Sequence, residues 1–149
     1  MELSALDRLL AERACERVVL DFVRRLDLGE PASVAGLFTP DGVWEWPGGD
    51  RYVAGRAALR TYFGARPADR LSRRLCTNVL VDVESPSTAS ATTYFVTYRL
   101  DGRTDGALPP PPHPANIGHY EDRFEQTGDG WLLTRRTLVL AFGGPTPRA

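Results

Sequence analysis

The sequence predicts an α+β domain in which helices come first and a mainly antiparallel sheet follows. Three observations predict it. Helical periodicity occupies the N-terminal end, alternation of period two dominates from Leu71 onward, and the strand-like segments succeed one another with no helical pattern between them. A chain of 149 residues, 42% of them hydrophobic, holds one core and has no length for a second ordinary domain.

Ser4 followed by Asp7 resembles a capping box, and behind it Leu6, Leu10, Ala14, Val18, Phe22 and Leu26 recur at helical spacing, widened by Cys15, Val19 and Val23. One long amphipathic helix is expected. Its charged residues, Arg8, Glu12, Arg13, Glu16, Arg17, Arg24 and Arg25, read as a solvated face. Gly29 and Pro31 end it, and Ala32 to Phe38 can add one or two turns before the breaker run Thr39-Pro40-Asp41-Gly42. From Val43 the residues alternate, Pro47-Gly48-Gly49-Asp50 makes a turn, and Arg51-Tyr52-Val53 returns as a hairpin partner that leaves Trp44 and Trp46 on one face. Arg56 to Ala65 suits a shorter helix closed by Gly64 and Pro67. Strands are then expected over Leu71 to Val83, Ala89 to Leu100, Ile117 to Phe124 and Trp131 to Phe142, with turns at Glu84 to Thr88 and Thr127 to Gly130. The stretch Asp101 to Asn116, containing PPPPHP, is too long and proline-rich for a tight turn and reads as either a lid or a loose edge connection. Residues 143–149 read as a short tail.

Composition excludes several function classes. The formal net charge is −1 with no basic block, which disfavours a nucleic-acid partner. All 18 basic residues are arginine, so lysine Schiff-base chemistry and the lysine of a phosphate loop are excluded. Two histidines, His113 and His119, and two distant cysteines, Cys15 and Cys76, form no metal-ligand spacing, and no glycine-rich phosphate loop is present; no metal and no cofactor are expected. No apolar run reaches the roughly 20 residues that span a bilayer, and the N-terminus has neither a basic leader nor an apolar secretory stretch. A cytoplasmic protein with no membrane partner is the expectation.

The order of a long helix, LFTPDGVWEW, GRAALRTYF, RRLCTNVLVDV, GHYEDRF and DGWLLTRR resembles the SnoaL-like branch of the nuclear transport factor 2-like superfamily over nearly the whole chain. The resemblance implies a curved sheet wrapped by three helices into a cone, a pocket at the wide end, and a homodimer through the outer face of the sheet. It also implies activities that range from polyketide cyclases, scytalone dehydratase-like and ketosteroid isomerase-like enzymes to dioxygenase small subunits and proteins with no catalysis. By position, Asp27 matches the carboxylate that dehydratase-like members carry near the end of the first helix. Leu26 stands where they place a Tyr, and their two pocket histidines fall near Arg74 and Phe95, so both imidazoles are missing.

Asp27, at a helix end facing the cone, is the best general base by position, or else part of a solvated turn. Arg74 can clamp an oxygen on which negative charge develops, or pair with Asp27 or Asp122. In GHYEDRF, strand alternation groups Tyr120, Asp122 and Phe124 on the inward face and His119, Glu121 and Arg123 on the other. Tyr120 can then donate to a ligand oxygen, and Asp122 is either a strut paired with Arg136 or a second acid/base. His113 could reach a pocket only if its loop folds over as a lid. Trp44, Trp46, Tyr62, Phe63 and Phe95 supply aromatic walls, Asn78 shares strand parity with Arg74 and Cys76, and Cys76 reads as a buried, inert thiol. Two functions fit. One is a cofactor-independent proton-transfer enzyme (isomerase, cyclase or dehydratase) acting on a small apolar cyclic or polyketide-like compound; the other is a non-catalytic small-molecule-binding or subunit-interaction protein.

Overall fold

The computed structural model describes residues 2–104 and 106–143, so most of the tail, 144–149, lies outside the described residues. The first helix, α1 (Ala5–Leu28), starts where the Ser4 hydroxyl accepts the backbone N–H of Asp7 at 3.1 Å and donates to its carboxylate at 2.6 Å. Its buried residues are Ala11, Cys15, Val18, Val19, Phe22, Val23 and Leu26. Leu6 and Leu10, expected on that stripe, are 63% and 58% exposed. The reason is geometric: strict four-residue steps drift by roughly 40° each, so a stripe from Leu6 to Leu26 winds through roughly 200° and cannot stay on one face. Mixing steps of three and four, as Ala11-Cys15-Val18-Phe22-Leu26 does, keeps the stripe straight.

A 3₁₀ segment, Pro31–Leu37, turns the corner and buries Val34, Ala35 and Leu37. Strand β1 (Phe38–Trp46) begins earlier than the alternation suggests, because the Thr39-Pro40-Asp41-Gly42 run lies inside it. The ladder with the last strand steps from Phe38↔Leu133 to Val43↔Arg135, so this run is an irregularity that takes Pro40 out of the regular pairing. Gly42 is required there, since a Cβ would stand 2.7 Å from that of Phe38. β1 pairs with β2 (Arg51–Ala54) as the expected hairpin, closed by a 3₁₀ turn at Pro47–Gly49 and by Asp50 in the left-handed region, φ 53°. Trp46 folds back over this turn so closely that a Cβ on Gly49 would collide with its ring.

The second helix, α2 (Arg56–Gly64), buries Leu59 and Phe63 and is tied to β1 by Arg56, whose Nε donates to the Phe38 carbonyl at 2.8 Å. Then come β3 (Leu71–Val83), β4 (Thr88–Leu100), β5 (Pro114–Thr127) and β6 (Gly130–Gly143). The sheet runs in the order β2-β1-β6-β5-β4-β3, antiparallel throughout except for the parallel β1–β6 pair. It is thus a six-stranded, curved, unclosed mixed sheet with helices on one face, the α+β architecture expected. β5 starts at Pro114, so the long connection is shorter than Asp101–Asn116. The core lies between α1, the Pro31–Leu37 corner, α2 and the inner face of the sheet, around Cys15, Val19, Phe22, Val34, Phe38, Leu59 and Leu133. Among the described residues no helix is long and apolar enough to cross a membrane.

Candidate functional site

Strand parity decides what faces the inside of the cone. In β5, Tyr120, Asp122 and Phe124 are buried at 4%, 2% and 2% exposure, while His119, Glu121 and Arg123 point outward. His119 bonds Glu121 at 3.1 Å on that outer face, and His113 is exposed in the long connection. In β4, Phe95 and Thr97 are buried, and in β3 their cross-strand partners are Cys76 and Arg74.

Between α1 and the inner face of the sheet, Asp122 and Arg136 are both fully buried and joined by two hydrogen bonds, Nε to Oδ1 at 2.8 Å and Nη2 to Oδ2 at 2.7 Å. The guanidinium is sandwiched between rings, 4.3 Å from the Phe22 centroid and 4.0 Å from that of Tyr120. Burial by itself would depress the Arg136 pKa, but the adjoining Asp122 carboxylate outweighs it and the net direction is upward. Both carboxylate oxygens of Asp122 are thus engaged by one cation, which is the strut arrangement.

Beside this pair lies a cavity of about 80 Å³. Its walls are the last turns of α1 (Phe22, Leu26), β1 (Trp44, Trp46), Phe63, Phe95, Tyr120 and the β6 residues Leu138 and Leu140. Tyr120 stacks on Phe95 with centroids 4.5 Å apart, and burial pushes its phenol up to about 12, against the opposing pull of Arg74 and Arg136. That phenol is a hydrogen-bond donor at neutral pH and not a base. The polar lining among the described residues is Arg66, Arg70, Arg74 and Arg99 with Thr97 and Asn116, and it includes no carboxylate and no imidazole.

Asp27 is close to this cavity without lining it. Its carboxylate accepts from the Ser72 hydroxyl at 2.6 Å, from the Arg74 backbone N–H at 2.6 Å and from Arg74 Nη1 at 2.5 Å, and its side chain is only 5% exposed. Arg66 Nη2 in turn donates to Ser72 Oγ. The end of α1 is thereby stitched to the start of β3, and Arg74 is held with its guanidinium between Asp27 and the cavity. The expected pairing of Arg74 with Asp27 exists; the solvated turn does not.

Two expected wall residues are placed elsewhere. Asn78 is exposed, at φ 53°, where the β3–β4 register jumps from Thr77↔Tyr94 to Leu80↔Thr92. This bulge breaks the parity with Arg74 and Cys76, and Asn is one of the few side chains that tolerates the left-handed region. Tyr62 packs behind Trp44, its ring 5.1 Å away, and backs the wall without lining the cavity. Cys76 is half-buried, and desolvation raises its thiol pKa above the ordinary value, as suits an inert thiol. Arg66, Arg70, Arg99 and Asn116 were not singled out from the sequence. For two of them the signal was present, since Arg99 continues the inward series Phe95-Thr97 and Asn116 shares parity with Tyr120; Arg66 and Arg70 lie in the link after α2, where no periodicity fixes a direction. Among the described residues no cluster of three or more His, Cys, Asp or Glu side chains could hold a metal ion.

A family model described as a SnoaL-like domain matches residues 7–137. No curated protein matches the sequence. Among solved structures, a candidate scytalone dehydratase from Novosphingobium aromaticivorans is similar with a TM-score of 0.79 at 20% identity, over 98% of this chain and 95% of the other. An NTF2-like protein with a cystatin-like fold from the same organism has a TM-score of 0.71 at 20% identity, over 93% and 87%. ActVI-ORFA from Streptomyces coelicolor has a TM-score of 0.71 at 17% identity, over 87% and 96%. Likeness at such identities establishes a shared fold and no shared reaction.

Proposed function

The chain belongs to the SnoaL-like domain family, and we propose that its cone is a binding site for a small, flat cyclic compound whose oxygen is held by Arg74 and Tyr120. The observation that carries this reading is the fixed position of Arg74. A carboxylate behind it, Asp27, and its own backbone hold the guanidinium at the wall of a cavity whose aromatic lining includes Trp44, Trp46, Phe63 and Phe95. Aromatic walls supply area and a preoriented donor supplies direction, the usual division of labour in a small-molecule site.

Where dehydratase-like relatives would pair this carboxylate with a histidine, the pair here is carboxylate and arginine. A guanidinium does not give up its proton near neutrality, so the pair cannot shuttle one; it can only present fixed positive charge. Ligand binding with polarisation of the bound oxygen is therefore favoured over general-base catalysis. A second reading, cofactor-independent isomerisation, cyclisation or dehydration, draws support from the convergence of Arg74 and Tyr120 on one cavity, which is how an enolate or alkoxide would be stabilised. In that reading Asp27, hydrogen-bonded to the lining residue Arg74, is the candidate base.

Quenching of Trp44 and Trp46 fluorescence by a panel of small cyclic ketones and phenols tests the site, together with native mass spectrometry of the freshly purified protein for a retained small molecule. Arg74→Gln should weaken the best ligand at least tenfold. If no ring compound gives saturable quenching and nothing co-purifies, the binding reading fails. For any compound that is turned over, Asp27→Asn should lower kcat at least a hundredfold if Asp27 is the base; unchanged turnover removes it from that role.

A further inference from the structure

The cavity's charge is one-sided. Among the described residues its lining holds four arginines, Arg66, Arg70, Arg74 and Arg99, and no acidic residue. Guanidinium side chains are seldom gathered around an apolar cavity, because each must be partly desolvated against like charge. Here the desolvation is real: the side chains of Arg70, Arg74 and Arg99 are only 6%, 16% and 10% exposed. Burial lowers the Arg99 pKa, and the nearby Arg70 and Arg74 charges lower it further against the pull of Asp101. The carboxylates that approach, Asp27 on Arg74 and Asp101 on Arg70 at 2.6 Å and on Arg99 at 3.8 Å, are not themselves part of the cavity lining.

A second observation is independent of charge. Asn116 lines the same cavity, is 9% exposed, and its Oδ1 is buried with no hydrogen-bond partner among the described residues. A buried amide oxygen without a donor is unfavourable, and a ligand hydroxyl would satisfy it. The same lining carries rings, with Phe95 and Tyr120 stacked and Trp44 and Trp46 in the wall.

We propose that the natural ligand is a small aromatic acid, a single ring with an anionic carboxylate held by the arginine cluster and a hydroxyl donated to Asn116. This rests on the reading of the cavity as a ligand site and adds the charge and the class of the ligand. A cavity of about 80 Å³ suits one ring better than a polycycle.

Isothermal titration calorimetry of the full chain with benzoate, its neutral isostere benzamide and 4-hydroxybenzoate tests it. Benzoate should bind at least tenfold more tightly than benzamide, and its affinity should fall with added salt. In Arg99→Gln the benzoate affinity should drop about tenfold with benzamide little changed, and Arg99→Lys should retain most of it. 4-Hydroxybenzoate should gain at least threefold over benzoate, a gain lost in Asn116→Leu; circular dichroism of each variant checks that it is folded. Equal affinity for benzoate and benzamide overturns the anionic ligand and leaves the ring-binding site standing. Equal loss of both ligands in folded Arg99→Gln also overturns it, since Arg99 would then act only on structure. Absence of saturable binding by all three probes overturns this assignment, and it reaches the cavity reading itself only if the ketone and phenol panel fails as well.

Discussion

Asp122 and Arg136 show how much a single pair decides in this protein. Both are wholly buried, so removing one leaves the other as an unpaired interior charge, which is unfavourable by about 3–5 kcal/mol. Asp122→Ala should lower the urea midpoint accordingly, while the double variant Asp122→Leu/Arg136→Met should recover most of the loss because neither charge remains; a double variant no more stable than the single one would show that the pair itself holds the cone together. Tyr120, next to that pair, governs the alkaline limb of stability. Its folded pKa, raised from 10.0 to about 12 mainly by burial, lies above that of the unfolded chain. Its contribution is therefore complete below pH 10 and is lost as the pH rises towards 12. At about 1.4 kcal/mol per tenfold change in proton affinity the loss is at most about 3 kcal/mol. Cys15, fully buried and pushed up from 9.0 to about 12 by desolvation first and then by Asp122 and Glu16, acts in the same direction from a lower starting pH. Chemical unfolding followed between pH 8 and 12 should show this decline, with Tyr120→Phe flattening its upper part and Cys15→Ala its lower part.

Strands determine the site through register, and β3 is the element where register changes. The bulge at Asn78 lets Arg74 and Cys76 face inward at one end of the strand while Val81 and Val83 face inward at the other, opposite Ala91 and Ala89. Asn78→Val, a β-branched residue forced to φ 53°, should destabilise by about 1–2 kcal/mol, whereas Asn78→Gly should be nearly neutral. Both variants should bind ring compounds like the parent protein, since position 78 is exposed; a folded Asn78→Gly with altered affinity would contradict this placement. β5 illustrates the opposite case. Its alternation from Asn116 to Phe124 persists across the strand, and Gly118 lets Phe95 and the β6 backbone close in, where a Cβ would collide with the Val139 carbonyl.

At the scale of the whole molecule, one face of the sheet carries helices and the other is bare among the described residues. Leu75, Tyr94 and Phe142, at 55%, 55% and 70% exposure, lie on the bare face among Val96, Ile117 and Val139. Apolar side chains gathered on an uncovered sheet are a typical association surface. The expected homodimer is accordingly proposed to form there. Sedimentation velocity should give a species of twice the 16.4 kDa chain mass, and Tyr94→Glu should return it to the monomer without loss of secondary structure; a monomer at all concentrations would refute the proposal.

The element order, the hairpin carrying Trp44 and Trp46, the inward set Tyr120-Asp122-Phe124 and the SnoaL-like resemblance were all legible in the sequence. Each is a local pattern of period or parity, and parity holds until a bulge interrupts it. Asn78 was misplaced for that reason, and Leu6 and Leu10 because a four-residue step precesses around a helix. What only tertiary structure decided is which charges meet. Asp27 is engaged by Ser72 and Arg74, 45 and 47 residues further along the chain, and Arg66 and Arg70 enter the cavity from a link without periodicity. Such encounters depend on how the end of α1, the α2 link and three strand ends converge in space, and one-dimensional spacing does not encode that convergence.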